Sequence, residues 1–404
     1  MKILFYCSKF PPLAGGGGVD VFQTGSFLTN KKHDVYVVCE HMPGLKKYEK
    51  LNERFHVYRV QVPVLKNRGS GLYFLMLCFL IAVRGIRLII KEKIDILHCN
   101  DTATGLAALL TKMVTRKASV FKFAGSMTYE YLNNANKKDW DPALGERWVW
   151  ENARGFVWVM LFFEKQFFTR FDRIFTNAAY LVDLLDSQMN LPEGKVKLIY
   201  NGVDTDKLDP EKFRNIKEKL GVNRLIYTGI RFVKYKGVDL LVKACLPMLA
   251  KWDAHLLIAG DGPQEEEIRK LVNNNERVRL LGNIEWKENI THVRSADVFV
   301  LPSLVDKSPP CIMEALSLGT PCIASDIDGV RELIGENAGI LVTPNDPDQL
   351  RDKIDWMLNN EKEAAEMGSN GRRFMQKEFS LEKKHEAVLN VYRELLEEKN
   401  ELEK

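Results

Sequence analysis

Asp306-Lys-Ser-Pro-Pro-Cys-Ile-Met-Glu314 is the stretch on which the reading of this chain turns. Two carboxylates stand eight positions apart across a proline-containing loop. A helix of small residues follows at Ala315-Leu-Ser-Leu-Gly319, then a short buried strand at Pro321-Cys-Ile-Ala-Ser325. Carboxylates at a strand-to-helix junction are hydrogen-bond acceptors aimed at hydroxyls, and a sugar or a ribose supplies them. Glu314 is placed to open a helix over 314–318, where an acid complements the helix dipole as readily as it reaches a ribose. Alone, the plain first-turn acid is the simpler reading; the neighbouring stretches reverse it.

The first of these is Thr228-Gly229-Ile-Arg231-Phe-Val-Lys-Tyr-Lys236-Gly237-Val-Asp-Leu-Leu241. A strand ends at Gly229, and Arg231 and Lys236 flank a loop leading into a helix opened by Gly237. Two cations and a helix N-terminus converge where a diphosphate would sit; Arg binds phosphate bidentately and Lys as a mobile point charge. A solvated basic turn, with Lys234 in it, is the competing reading. Ala259-Gly-Asp-Gly-Pro263 reads most simply as a structural turn after a strand. After the first strand comes Pro11-Pro12-Leu-Ala-Gly15-Gly16-Gly17-Gly18-Val19-Asp20. Glycines let a backbone approach a ligand and aim N–H groups at a phosphate from a helix start. By itself such a loop is a weak signal, and it lacks the spacing and second-strand acid of a nicotinamide site.

Short apolar runs alternate with longer amphipathic stretches, which predicts an α/β fold with parallel sheets. In the first half strands are expected near 2–7, 34–40, 55–61, 94–99, 118–123, 173–177 and 196–200. Helices are expected near 19–31, 71–92, 103–115, 144–170 and 178–189. In the second half strands near 224–229, 255–260, 278–281, 297–301, 321–325 and 339–342 alternate with helices near 237–250, 263–274, 287–294, 311–318, 329–334, 347–359 and 362–377. The turn-rich segment Asn201-Gly-Val-Asp-Thr-Asp-Lys-Leu-Asp-Pro210 divides the halves. The reading is therefore a domain over 1–200, a second over 201–380, and a charged amphipathic helix over 381–404 with Val388, Val391, Leu395 and Leu396 on its apolar side. Two βαβ domains place a cleft at the carboxyl ends of their strands.

The 404 residues suit two cores rather than one, and 46% hydrophobic with 28% charged residues is a globular composition. Seven cysteines with no metal-like spacing read as reduced thiols of a cytosolic protein, and the short apolar start before Ser8-Lys9 suits a first strand rather than a leader. The net charge of +4 hides an asymmetry: residues 1–200 hold 28 Lys and Arg against 18 Asp and Glu, or +10, leaving −6 for the rest. A basic first half points to an anionic partner, such as a phospholipid surface or a phosphorylated acceptor, or to an uneven solvated surface. Residues 71–83 form an uncharged apolar run, shorter than the roughly 20 residues of a membrane span. Residues 147–175 interleave aromatic and basic side chains, as helices at a membrane interface do. Packed helices on the first sheet are the simpler reading of both. No nucleic-acid motif accompanies them, so nucleic acid is not an expected partner.

Taken together, these stretches resemble the family 4 retaining glycosyltransferases of GT-B fold. The resemblance rests on Gly229 to Gly237, Asn201-Gly-Val-Asp204, Ala259-Gly-Asp-Gly-Pro263 and Asp306 to Pro321, in that family's order and spacing, and runs over nearly the whole chain. It implies two Rossmann-like domains facing across a cleft, with the C-terminal helix crossing back to the first. It implies that Arg231 and Lys236 bind the diphosphate of a nucleotide-sugar donor, Glu314 its ribose and Asp306 its sugar. Gly16, Gly17 and Gly18 would close over the phosphates, and Gly229, Ser308, Cys311 and Ile312 would be substrate-binding positions. Neither metal nor other cofactor is implied, because the two cations neutralise the leaving group. The acceptor would be a glycan or a lipid-linked group, the chemistry front-face transfer with retention, and the location cytoplasmic, with membrane contact through the basic half.

Three departures stand out. Asp306 replaces the family's usual Glu and is shorter by one methylene, a reach of roughly 1.5 Å. Pro309 and Pro310 are consecutive and lack N–H groups, leaving Cys311 as a donor. Ala124 stands where many relatives carry His; the run Phe121-Lys-Phe-Ala124-Gly-Ser126 with Tyr129-Glu130 resembles a variant found in a subset of them. These departures keep open a catalytically weak subunit that binds nucleotide or glycan beside a partner enzyme. Another GT-B enzyme, an epimerase or phosphorylase, is a third reading, though no pyridoxal lysine motif is present.

Overall fold

The computed structural model describes residues 1–12, 16–62, 71–134 and 145–402. Its first sheet has eight strands: β1 Lys2–Tyr6, β2 Asp34–Glu40, β3 Tyr48–Asn52, β4 Phe55–Val60, β5 Ile96–Cys99, β6 Ala118–Phe123, β7 Arg173–Thr176 and β8 Val196–Leu198. Their order is β3-β4-β2-β1-β5-β6-β7-β8, parallel except for β3, which pairs antiparallel with β4. Its helices are α1 Gly16–Asn30, α2 Gly71–Glu92, α3 Gly105–Thr115, α4 Met127–Asn134, α5 Gly145–Asn152, α6 Gly155–Arg170 and α7 Ala179–Gln188. The second sheet is all parallel, ordered β11-β10-β9-β12-β13-β14, from β9 Arg224–Gly229, β10 Ala254–Ala259, β11 Val278–Gly282, β12 Val298–Leu301, β13 Cys322–Ser325 and β14 Ile340–Val342. Around it lie α8 Lys217–Leu220, α9 Val238–Cys245, α10 Glu265–Val272, α11 Trp286–Ser295, α12 Pro310–Ser317, α13 Asp328–Arg331, α14 Pro347–Asn359 and α15 Glu361–Glu378. The last helix, α16 Leu381–Leu402, packs Leu389, Tyr392 and Leu395 against Ile3, Phe5 and Val120 of the first sheet.

Buried strands such as Ile3-Leu4-Phe5-Tyr6 and Val298-Phe299-Val300-Leu301 are apolar on both sides because helices cover both faces. On one face of the first sheet α1 and α16 seal the core; on the other α2, α3, α6 and α7 do. The chain leaves the first sheet after β8 and returns into α16, and the two crossings pair: Val203 N donates to Phe379 O at 2.8 Å and Leu381 N to Val203 O at 3.0 Å. A charged knot fixes α16 further. Asp20 of α1 accepts from Lys122 of β6 at 2.7 Å and also pairs with Lys384 of α16.

Several expected elements change. The single helix over 144–170 is two, α5 and α6, broken at Ala153 and Arg154, and Gly155 opens α6 at φ +56°, a conformation that suits glycine. The edge strand β3 and the short helix α4 lay inside polar sequence and had no apolar period to reveal them. The helix expected from 19 starts at Gly16, so Gly16, Gly17 and Gly18 are its first turn rather than loop; Gly15 lies outside the described residues. Glu314 does not open its helix: α12 begins at Pro310, and Glu314 is in the second turn. Proline is favoured at a first helical position, where its missing N–H costs nothing. The apolar run at 71–83 is half of a 22-residue helix, the described helix long and apolar enough to cross a membrane. Its Cys78, Ile81, Ala82 and Leu88 are nevertheless buried in the first core.

Candidate active site

In each sheet the strand order reverses once, between β1 and β5 and between β9 and β12, and the crevice beyond such a point is where open α/β sheets hold ligands. At the second crevice β9 ends at Gly229. A Cβ there would overlap Asn289 Oδ1, the acceptor for Tyr227 OH at 2.7 Å, so only glycine lets α11 pack this closely. Two residues on, Arg231 is exposed, and its guanidinium has no hydrogen-bond or ion-pair partner among the described residues, although its carbonyl accepts from Val233 N at 3.0 Å. Its loop is fixed from behind: Ile230 N donates to Ala259 O at 3.0 Å and Phe232 N to Asp261 O at 2.7 Å. The Ala259–Pro263 turn therefore buttresses the arginine. Gly260 at φ +131° and Gly262 at φ +150° press on the Ile230 and Phe232 carbonyls where a side chain has no room.

Lys236 closes a turn before Gly237, and its ammonium pairs with the Asp306 carboxylate. Both side chains are mostly buried. Burial alone would push the Lys236 ammonium down, but the Asp306 charge carries it above the ordinary lysine value. Asp306 also accepts from Lys307 N at 3.2 Å and, weakly, from Ser303 Oγ at 3.4 Å. Glu314 accepts from Trp286 Nε1 of α11 at 2.7 Å, and the Lys207 ammonium stands 4.3 Å from the Trp286 ring centroid. Burial raises the Glu314 carboxyl, against the Trp286 bond and the Lys207 charge. Cys311 and Ile312 follow Pro310 in the first turn of α12, where N–H groups lack intrahelical acceptors. The Ile312 side chain is fully buried in the second core, which leaves its backbone as the part able to meet a ligand. Burial, then the Asp306 charge, pushes the Cys311 thiol up to about 12, which makes it a poor nucleophile. Ser308 is buried and its Oγ lacks a partner among the described residues.

At the first crevice the glycine turn of α1 is held by Asn100, whose Nδ2 donates to Gly17 O at 2.9 Å, and Gly18 packs on the Lys9 carbonyl. Among the described residues no hydrogen bond or ion pair joins this turn to Arg231, Lys236, Asp306 or Glu314. Of the four second-half residues, Lys236 and Asp306 are joined directly, Arg231 follows the end of β9 and Glu314 stands one turn into α12; the glycines lie beside Asn100, just after β5 of the first sheet. Between the halves lies a cavity of about 350 Å³ lined by Tyr129, Glu146 and Tyr180 on one side and Asp306, Lys307 and Asp328 on the other. Lys307 Nζ reaches across to Glu146 Oε1 at 2.8 Å, an oxygen that also accepts from Ser126 N at 2.8 Å. Nearby, Glu164 is 1% exposed and accepts from Ser126 Oγ, Met127 N and Thr128 Oγ1. Burial pushes its carboxyl up to about 7 despite those bonds.

The sequence reading missed Trp286, Glu146, Lys307 and Gly329. Trp286 and Glu146 carry no local pattern and are recruited by packing between helices distant in sequence. Lys307 was visible as the neighbour of Asp306, but its partner was not. A Cβ on Gly329 would overlap the carbonyl oxygens of Asp306 and Lys307, so this glycine sets the path of the acidic loop. Lys122, part of the variant run before Ala124, donates to Asp20 at 2.7 Å and more weakly to Asn201 Oδ1 at 3.4 Å. Among the described residues no group of three or more His, Cys, Asp or Glu side chains is arranged to hold a metal ion.

The family described as "Glycosyltransferase Family 4" matches residues 14–207, and that described as "Glycosyl transferases group 1" matches residues 209–374. An uncharacterized glycosyltransferase of Methanocaldococcus jannaschii is 24% identical over 98% of this chain and 99% of its own length. The UDP-Gal:alpha-D-GlcNAc-diphosphoundecaprenol alpha-1,3-galactosyltransferase of Escherichia coli is 24% identical over 97% of both chains. The solved sucrose-phosphate synthase of Thermosynechococcus elongatus superposes with a TM-score of 0.80 at 21% identity over 98% of both chains, which fixes the GT-B fold. With both halves matched in order, a GT-B architecture and the paired crevices, this chain belongs to the group 1, family 4 glycosyltransferases.

Proposed function

We propose that this glycosyltransferase takes a nucleoside-diphosphate sugar as donor and transfers the sugar, with retention, to a glycan or lipid-linked acceptor. The observation that carries this reading is the pairing of a free Arg231 with a fixed Lys236–Asp306 ion pair beside the N-terminus of α12. In it, Arg231 and Lys236 clamp the diphosphate and stabilise the charge that develops as the glycosidic bond breaks. Glu314 accepts hydroxyl hydrogens of the ribose. Asp306 accepts from a hydroxyl of the sugar, and the N–H groups of Cys311 and Ile312 complete that subsite. The first turn of α1, Gly16 to Gly18, caps the phosphates from the other half. The departing phosphate takes the acceptor's proton on the face the acceptor attacks, and the cations stand in for a divalent metal. A lipid-linked acceptor, as in the name of the Escherichia coli relative, fits a cytoplasmic protein whose first half meets the inner membrane surface.

The test is nucleotide release from UDP-, GDP- and ADP-sugars, with and without acceptor extracts. Release with one donor, lost in Arg231→Ala, supports the reading. No release with any donor, and wild-type nucleotide binding in Arg231→Ala, would sink it in favour of a non-catalytic subunit.

A further inference from the structure

We infer that the outward face of α2, α3 and α6 is an apolar docking surface for an anionic lipid bilayer, leading to the mouth of the cleft. This inference rests on the lipid-linked acceptor proposed above and locates where that acceptor would be met. The three helices form one layer over the first sheet, on the side opposite α1 and α16. Their inward sides are ordinary core. Their outward sides are not ordinary surface. On α2, Leu72 is 60% and Phe79 61% exposed, with Leu75 between them on the same stripe. On α3, Met113 and Val114 are exposed. On α6, Phe156 is 65% and Phe163 61% exposed, and exposed Trp158 stacks on Phe162 with centroids 5.7 Å apart. A soluble protein tolerates such side chains singly; a contiguous layer of them marks a contact surface.

Charge identifies the contact as lipid. None of the exposed charges on the three helices is acidic: Glu164 is buried and Glu92 half-buried, while Arg87, Lys91 and Arg170 stand exposed. Exposed aromatics among basic residues are the composition of a face that lies in a headgroup layer. Although α2 is long enough to span, its buried side is committed to the first core, so it lies on the bilayer rather than crossing it. The face also has a direction. Helices α2 and α3 begin at the carboxyl ends of the first sheet's strands, the cleft side, and α6 runs back from there. At that end Phe156 meets Tyr131 of α4 edge-on at 6.1 Å, and Tyr129 of the same helix lines the cavity between the halves. Likewise Trp148 of α5 is exposed beside Arg147, which lines the cavity. An acceptor anchored in the bilayer would thus present its headgroup at the cavity rim.

The experiment is flotation of the full chain with vesicles of phosphatidylcholine alone and of phosphatidylcholine with phosphatidylglycerol. Binding to the anionic vesicles that persists at high salt is expected, because apolar insertion is not screened whereas surface charge attraction is. Phe156→Ser combined with Phe163→Ser should lower the partition coefficient by about tenfold per inserted ring, while Leu51→Ser, an exposed apolar residue on β3, should not. Quenching of tryptophan fluorescence by brominated lipid should fall in Trp158→Phe without loss of binding. Absence of flotation, flotation abolished by salt, or equal flotation of the double variant overturns the inference. So does a salt-stable dimer without lipid that the double variant dissociates. Nucleotide release without acceptor is measured on the same samples: release with no flotation sinks this inference alone, and flotation with no release sinks the proposed reaction alone.

Discussion

Glu314→Gln separates what the carboxylate costs the fold from what it would do for a ligand, and the two effects have opposite signs. Glutamine has the same shape, and its carbonyl still accepts from Trp286 Nε1, so packing is kept. Burial raises the Glu314 carboxyl above its ordinary value of 4.5, meaning the folded chain holds that proton more tightly than the unfolded one. Stability is therefore lost as pH rises through that ordinary value and stays lost above the raised one. The variant escapes the loss, and at neutral pH it should gain on the order of 1 kcal/mol, or about 2–4 °C in Tm for a domain of this size. Nucleotide binding should move the other way. A hydroxyl bound to a charged acceptor contributes about 1.5–3 kcal/mol against roughly 0.5–1.5 for a neutral one. Losing that margin at one or two ribose hydroxyls weakens the donor by about 5- to 100-fold. Calorimetric titration of nucleoside diphosphates and ligand-free melting across pH read the two effects separately. Wild-type nucleotide affinity in the variant would refute the ribose assignment, and lower stability than wild type at every pH would refute the burial argument.

Gly329→Ala drives a methyl group into the Asp306 and Lys307 carbonyls, so the acidic loop must shift; kcat/KM for donor turnover should fall by about a hundredfold, as misplacement by about 1 Å does elsewhere. Unchanged kcat/KM would show that the loop's path is not limiting. Glu164 has its carboxyl raised from 4.5 to about 7 by burial, so its ionisation costs stability as pH rises between those values. Urea midpoints of Glu164→Gln relative to wild type should accordingly improve from below pH 4.5 to above pH 7, and a pH-independent difference would count against a buried carboxyl with that titration. Asp306→Glu lengthens the acid and loosens its hold on Lys236, so it should change the ratio of kcat/KM between two sugars carried on one nucleotide severalfold and also weaken the bare nucleotide; an unchanged ratio would remove Asp306 from the sugar subsite.

Legibility followed from how local each feature's cause is. Gly229, Arg231, Lys236 and Gly237 were readable because a strand end, a tight loop and a helix start are consecutive, and each step demands a residue type. The Ala259–Pro263 turn was readable as a turn but not as the buttress of Arg231, since that role exists only once β9 and β10 pair side by side. Glu314 was expected to open its helix and instead lies in the second turn. Two prolines at 309 and 310 are as compatible with a loop as with a helix start, and a fixed φ near −65° does not choose between them. Trp286 and Glu146 could not be read at all, because their partners Glu314, Ser126 and Lys307 lie on other elements. In the 144–170 stretch the aromatic content was plain but its orientation was not. Phe167 and Phe168 are core while Phe162 and Phe163 are surface, and a nearly all-apolar helix has no polar side to say which way it faces.

The Lys236–Asp306 pair bears most directly on how the two cations divide the work. A lysine ammonium this buried would be driven toward its neutral form without a counter-charge, and a neutral amine cannot stabilise a leaving diphosphate. Asp306 keeps it charged while the cleft is empty. Arg231 has no such partner and stands exposed, its planar guanidinium able to take a phosphate bidentately. Under the proposed reaction the encounter is then ordered: the arginine captures the incoming diphosphate, and the lysine is already charged, held and largely stripped of water where the bond will break. Asp306 is held by the same contact, so its free lone pairs have a fixed direction toward an arriving sugar. A longer acid would reach past Lys236 with a floppier carboxylate. The shorter side chain at 306 is thus a geometric condition for keeping one carboxylate on both tasks, supporting the lysine and reading the sugar, rather than a defect in an otherwise intact site.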